Sequence, residues 1–253
     1  MGAEELLTIA QVALRFPNGR DVLRGIDLRV GAGEFVVILG SNGCGKSTLL
    51  KSIVRLLTPT SGSIRVGGQE FSTLSGAALQ AARRAVGMVS QQANLVRRRS
   101  VVANVCAGAL GRYTDLRTKL GFVPADALPH AYRLLDLVGL AECAEQRAGT
   151  LSGGQAQRVS IARALAQQPR VLLADEPIAS LDPEASEDIL VLLRRLAKDE
   201  GLAVLCVLHQ PQLARRYADR LVGLRDGIVA FDAAPGAVHE EQVAALYGLG
   251  AAA

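Results

Sequence analysis

The stretch from Phe35 to Leu57 limits the possible folds more than any other. An unbroken apolar run, Phe35 to Leu39, ends in Gly40. "GSNGCGKST" (Gly40 to Thr48) follows, and "KSTLLKSIVRLL" then carries apolar residues at helical spacing up to Thr58-Pro59. A run with no polar alternation is expected of a strand buried on both faces, as in a parallel sheet. The loop matches G-x-x-x-x-G-K-[ST] between a strand and a helix. Its glycines let the backbone close around an anion with N–H groups pointing inward, and the helix N-terminus adds partial positive charge. In this pattern Gly40, Ser41, Asn42, Gly43, Cys44 and Gly45 form a phosphate cradle. Lys46 reaches the outer phosphates, the Ser47 hydroxyl meets Mg²⁺, and Thr48 meets the α-phosphate region. The loop alone supports binding of ATP or GTP.

The rest of the chain reads as a mainly parallel α/β protein. "LLTIAQVALRF" and "DVLRGIDLRV" are strands about a "PNGR" turn, and a short strand pair lies near "GSIRVGGQE". Ser75 to Arg84 reads as helix and "AVGMVSQ" as strand. From about Asn94 to Glu145 the pattern is helical and polar, with "ALPHAYRLLDLVGL" its clearest helix, so an inserted helical lobe is expected there. Strands and helices then alternate: "GGQAQRVSIARALAQQ", "RVLLADE", "PEASEDILVLLRRLAKDE", "GLAVLCVLH" and "QPQLARRYAD". A hairpin about Asp226-Gly227 follows, and the terminal Ala-rich tail is expected to fray.

"RVLLADE" ends an apolar strand on two acids. Beside a phosphate cradle, Asp175 is placed to join the Mg²⁺ shell and Glu176 to polarise an attacking water. Alone, the pair before Pro177 would read as acids at a helix N-terminus. Kinases, GTPases and many motors share these parts. "LSGGQ", Leu151 to Gln155, is different. Ser152, Gly153, Gly154 and Gln155 open another helix and make a second anion site in one chain.

In that order, "GSNGCGKST", "LSGGQ" and "VLLADEP" resemble the ATPase subunit of the ATP-binding-cassette superfamily, over nearly the whole chain. The resemblance implies a P-loop NTPase (RecA-like) α/β core with an N-terminal antiparallel β-subdomain and an inserted α-helical subdomain. The expected layout is a single cassette over residues 1–253. The core with its β-subdomain takes 1–93 and 160–253, and the helical lobe carrying LSGGQ takes 94–159. Gln91 is similar to the Q-loop glutamine that meets Mg²⁺ and the lytic water. Asp182, in "SLD", resembles the D-loop aspartate. His209 resembles the switch histidine at the γ-phosphate, and Phe16 the aromatic that stacks on adenine. ATP and Mg²⁺ are the implied cofactors. The cradle of one chain would face the LSGGQ of a second copy in a head-to-tail sandwich of two ATP.

"ANLVRRRSVVANV", "LGRYTDLRTKLGFVP" and "LHQPQLARRYADRLVGLRDGIVAFDAAP" are similar to the ATP-binding subunit of bacterial phosphonate importers. Most cassette ATPases have Thr-His-Asp where Leu208-His209-Gln210 stands here. The implied partners are integral membrane permease subunits, with a periplasmic substrate-binding protein acting indirectly. The implied cargo is phosphonate, phosphite or phosphate. Ser90, Ala103 and Ala156 depart from the family pattern, where an aromatic, Glu and Gln are usual. Alternatives are an importer of another substrate, a soluble cassette ATPase acting on DNA or ribosomes, and a P-loop kinase. A kinase has no use for LSGGQ.

Composition narrows the partners. No Trp and 4% aromatic residues argue against a base-stacking surface, so nucleic acid is not expected despite a net charge of +4. No run approaches the ~20 apolar residues that span a bilayer, and the start lacks a signal-peptide pattern. The expected location is the cytoplasmic face of the inner membrane, held peripherally by the permease. Arg97, Arg98 and Arg99 form a basic cluster that is either a solvated loop or a contact for permease acids or lipid headgroups. Cys106, Cys143 and Cys206 read as small buried hydrophobes. Cys44, near Lys46 and a helix N-terminus, has the surroundings that lower a thiol's pKa, or is an inert loop residue.

Overall fold

A computed structural model describes residues 4–113, 124 and 126–248. Residues 114–123 of the importer-like stretch and the Ala-rich tail lie outside the described residues. Strands β1 (Glu5–Arg15), β2 (Asp21–Gly31), β4 (Ser61–Val66) and β5 (Gln69–Glu70) form an antiparallel sheet in the order β2-β1-β4-β5. A six-stranded sheet is built from β3 (Phe35–Leu39), β6 (Val86–Val89), β7 (Val171–Asp175), β8 (Ala203–Val207), β9 (Arg220–Arg225) and β10 (Ile228–Ala233). Its order is β10-β9-β3-β8-β7-β6, parallel throughout except for the β9–β10 hairpin.

The large sheet separates two cores, and this explains its unbroken apolar strands. Successive side chains on a strand point to opposite faces. In β3, Phe35, Val37 and Leu39 enter the core on the helical side, while Val36 and Ile38 enter the core shared with the antiparallel sheet. β7 divides in the same way, with Leu172 and Ala174 on one face and Val171 and Leu173 on the other. A polar residue at any of these positions would be buried without water on either side.

The helices are α1 (Lys46–Ile53), α2 (Gly76–Ala82), α3 (Val101–Ala109), α4 (Ala127–Leu137), α5 (Gly153–Leu165), α6 (Pro183–Glu200), α7 (Pro211–Tyr217) and α8 (Glu240–Leu246). α3, α4 and α5 pack together, as expected of the lobe, but they share one apolar core with α6 and the large sheet. α5 runs unbroken through residue 159, where the sequence reading divides lobe from core.

One expectation needs correction, and one element was not anticipated. The helix expected to run to Leu57 stops at Ile53, because Arg55 takes a left-handed φ of 56° that no helix continues. The carbonyls released at Val54 and Arg55 accept hydrogen bonds of 2.8 Å from the Arg83 guanidinium. The chain before its terminal tail also forms an element that hydropathy did not reveal. α8 folds back on β9 and buries Val243 and Leu246.

Candidate functional site

The C-terminal ends of β3, β7 and β8 lie side by side, the usual place for a ligand in an open α/β sheet. β3 leads into Gly40, β7 ends in Asp175, and β8 leads to His209. Gly40 lies so close to β9 that an added Cβ would sit 2.3 Å from the Leu224 carbonyl oxygen. Gly45 caps α1 at φ 114°, a conformation that side chains strongly disfavour. Lys46 is 5% exposed, and its ammonium donates to the Gly40 and Ser41 carbonyls at 2.8 Å each. Two of its three protons are thereby used. No backbone carbonyl accepts from the N–H groups of Gly45, Lys46, Ser47 or Thr48. The first turn of α1 therefore offers unpaired donors, as an anion seat requires.

The distant acids meet this loop. The Ser47 hydroxyl donates to Asp175 Oδ1 at 2.9 Å, across 128 positions of sequence. Burial raises the Asp175 carboxyl above its ordinary range, while the Ser47 bond opposes that rise. Glu176 lines a cavity of about 120 Å³ together with Asn42, Gly43 and Lys46 to Thr48. Its backbone stands at φ 52°, a conformation costing roughly 1–3 kcal/mol in a side-chain-bearing residue. The strain is held by a Glu176 N–H bond to the Val207 carbonyl and by the Ala179 N–H donating to the Glu176 carbonyl. This backbone state turns the carboxylate to His209, whose Nε2 lies 2.5 Å from Glu176 Oε1.

A second cavity of about 490 Å³ adjoins the first at Gly43. Arg20, Asp21, Val22, Arg24, Cys44 and Asp226 are among its lining residues. Phe16 does not line it; the ring is half-buried against the inter-sheet core at the end of β1. Cys44 is buried with Sγ 4.0 Å from Lys46 Nζ. Burial raises its thiol pKa and outweighs the nearby ammonium, which corrects the expectation of a lowered value. Cys143 is half-buried rather than buried.

The other candidates lie apart from the cradle. Ser152 to Gln155 contribute nothing to either cavity. They close a capping box at α5: Ser152 Oγ accepts from the Gln155 N–H at 3.2 Å, and Gln155 Oε1 accepts from the Ser152 N–H at 3.0 Å. Added Cβ atoms on Gly153 and Gly154 would come within 3.1 Å of Leu181 and 3.0 Å of Ala185, so larger residues would press on both neighbours. Asp182 caps α6, accepting from the Ala185 N–H at 2.9 Å. Gln91 is exposed two residues beyond β6 and does not line the cradle cavity. The buried Gln157 amide, which sequence reading missed, holds the carbonyl just before it by donating to Ser90. Arg97 to Arg99 are exposed, on a loop pinned by the buried Asn104 amide through Val96.

Among the described residues, no cluster of three or more His, Cys, Asp or Glu side chains is arranged to hold a metal ion. The Ser47 hydroxyl and Asp175 carboxylate are hard oxygen donors beside the cradle, a donor set that fits Mg²⁺ accompanied by phosphate oxygens and water.

Comparisons agree with this geometry. A family model described as ABC transporter matches residues 23–179. A phosphonates import ATP-binding protein of Thiobacillus denitrificans is 46% identical over 241 residues, covering 95% of this chain and 92% of the relative. One of Halalkalibacterium halodurans is 43% identical over 243 residues, covering 96% and 94%. Among solved structures, cbiO1 of Clostridium perfringens, part of the ABC transporter complex cbiONQ, superposes with TM-score 0.81 at 28% identity, covering 92% and 89%. A dimeric ATP-binding cassette in a post-hydrolysis state bound to ADP and Pi superposes with TM-score 0.78 at 32% identity, covering 90% and 98%. With the family model matched over most of its length and these relatives spanning nearly all of it, the chain belongs to the ABC transporter family.

Proposed function

We propose that this chain is the ATP-hydrolysing subunit of a phosphonate importer, binding ATP with Mg²⁺ and working as a pair of identical cassettes. The observation that carries the hydrolytic reading is the meeting of Ser47 with Asp175 and of Glu176 with His209 at the mouth of one anion cradle. The third Lys46 proton, which meets only the Cys44 sulfur at 4.0 Å, turns to the outer phosphates, and the N–H groups of Gly45 to Thr48 complete the seat. The nucleoside takes the 490 Å³ cavity that continues from Gly43; the adenine-stacking role read for Phe16 requires its ring to leave the inter-sheet core. Ser47, Asp175 and Gln91 are the residues that would hold Mg²⁺. When bound, the ion neutralises charge on the phosphate oxygens. Glu176 orients and deprotonates water, and the His209 imidazole fixes the rotamer of that carboxylate.

The pairing rests on the second anion site. Ser152 to Gln155 form a helix N-terminus, exposed at Ser152 and Gly153, that no cavity of their own cradle uses. A head-to-tail second copy brings that N-terminus, with Asp182 nearby, to the γ-phosphate of its partner. The chain acts as one cassette over residues 1–253, with 94–159 as the lobe that meets the permease. No described helix is long and apolar enough to cross a membrane. Attachment to the inner face of the membrane therefore comes through permease subunits, which a periplasmic binding protein supplies.

The phosphonate assignment rests on likeness to the named relatives, because the ATPase never touches the cargo. Its test is reconstitution of the chain with its permease and binding protein in liposomes. A phosphonate is expected to stimulate ATP hydrolysis severalfold more than phosphate or phosphite. Stronger stimulation by phosphate or phosphite reassigns the cargo, and no hydrolysis at all removes the ATPase reading.

A further inference from the structure

The C-terminal segment reaches the site from a direction that no motif marks. α8 is anchored by Val243 and Leu246 in the helical-side core, and Tyr247 comes next, half-buried. Its hydroxyl lies 3.5 Å from the His209 carbonyl oxygen. Gly40 follows β3 and His209 follows β8, and these strands are neighbours in the sheet. The phenol thus meets the end of the strand that carries the histidine, beside the strand that carries the cradle. Burial keeps this phenol's pKa above its ordinary range, so the group remains an O–H donor at neutral pH.

We infer that Tyr247 is a positioning residue whose hydroxyl holds the His209 backbone carbonyl and so sets where the imidazole meets Glu176. The inference rests on the hydrolytic reading above for its consequence in rate, but not for its geometry. The His209 side chain hangs from a residue just beyond the end of β8, where ladder hydrogen bonds no longer hold the backbone. A donor on its carbonyl restrains that backbone. A displacement of about 1 Å in a reacting group can cost on the order of a hundredfold in rate. α8 then acts as a brace from the C-terminal end of the chain, and its seating sets the alignment of His209 with Glu176.

The test pairs a spectroscopic readout with a double-mutant cycle. The chain has three histidines, so three imidazole Cε1–H signals are expected and can be assigned by replacing His209. Tyr247→Phe is expected to move the His209 signal while those of His130 and His239 stay in place. It should lower kcat for ATP hydrolysis by about fivefold and change KM less than twofold. In a His209→Ala background it should have no further effect, since contacting residues that act together are not additive. A His209 signal unmoved by Tyr247→Phe overturns the inference, and so do rate losses that simply add. If the parent chain hydrolyses no ATP, the hydrolytic reading fails, yet the position of the His209 signal still decides the role of Tyr247.

Discussion

Two helix N-termini in this chain read alike in sequence and differ in structure. Both α1 and α5 start from Gly-containing loops with a hydroxyl residue at the entry. The α1 turn leaves its N–H groups without carbonyl partners, buries a lysine, and meets Asp175 at the end of β7. The α5 turn pairs the Ser152 and Gln155 N–H groups in its capping box, leaves those of Gly153 and Gly154 without carbonyl partners, gathers no side chain from the distant strands, and exposes Ser152 and Gly153. The first is shaped to seat an anion, and the second carries a cap of its own. A site that is complete alone and a site that is only lent to a neighbour therefore have different energetics. The first loses its function when any converging group is removed. The second loses stability and its service to the partner separately.

The comparison can be broken most forcefully at Glu176. Glu176→Gln is expected to lower hydrolysis by roughly 10²–10⁴-fold while ATP binding persists, and light scattering should find an ATP-dependent dimer. A monomer at saturating Mg-ATP would mean that the α5 N-terminus is not lent across an interface. Ser152→Ala sharpens the contrast. It removes a cap bond worth about 1 kcal/mol and should lower Tm by about 2–4 °C. It should also reduce hydrolysis about tenfold or more, because one donor to transition-state charge is lost, while ATP binding to the cradle is unchanged. If binding falls with hydrolysis, the two N-termini serve the same cradle within one chain.

The smallest effect concerns Cys44. Burial raises its pKa, so its reactive thiolate appears only at higher pH than an ordinary cysteine's. Iodoacetamide at pH 7.5 should label half-buried Cys143 before Cys44, and Mg-ATP should slow Cys44 further because that residue lines the larger cavity. Rapid labelling of Cys44 at that pH would show that the Lys46 charge, not burial, governs the cradle's interior.

Much of this was legible in the residues. The unbroken run at Phe35 to Leu39 implied a strand between two apolar layers, and that is how the large sheet uses it. The hairpin at Asp226-Gly227 and the long helix from Pro183 to Glu200 follow local turn and capping rules. What was missed depended on partners far away in sequence. Arg55 ends α1 early because Arg83 is present to take the freed carbonyls. α8 forms against β9, inside the sheet, a contact that hydropathy over seven residues cannot announce. Burial of Cys44 under the cradle overrides the charge beside it.

The sequence by itself determined the cradle's shape, the LSGGQ cap and the acid-ended strand, because each is closed by hydrogen bonds or backbone preferences within a few residues. Tertiary structure alone decided that Ser47 meets Asp175, that Glu176 is held at a strained φ toward His209, and that Tyr247 reaches the His209 carbonyl. These contacts join residues up to 128 positions apart. They exist only once the order of β3, β8 and β7 in the sheet sets the strand ends side by side.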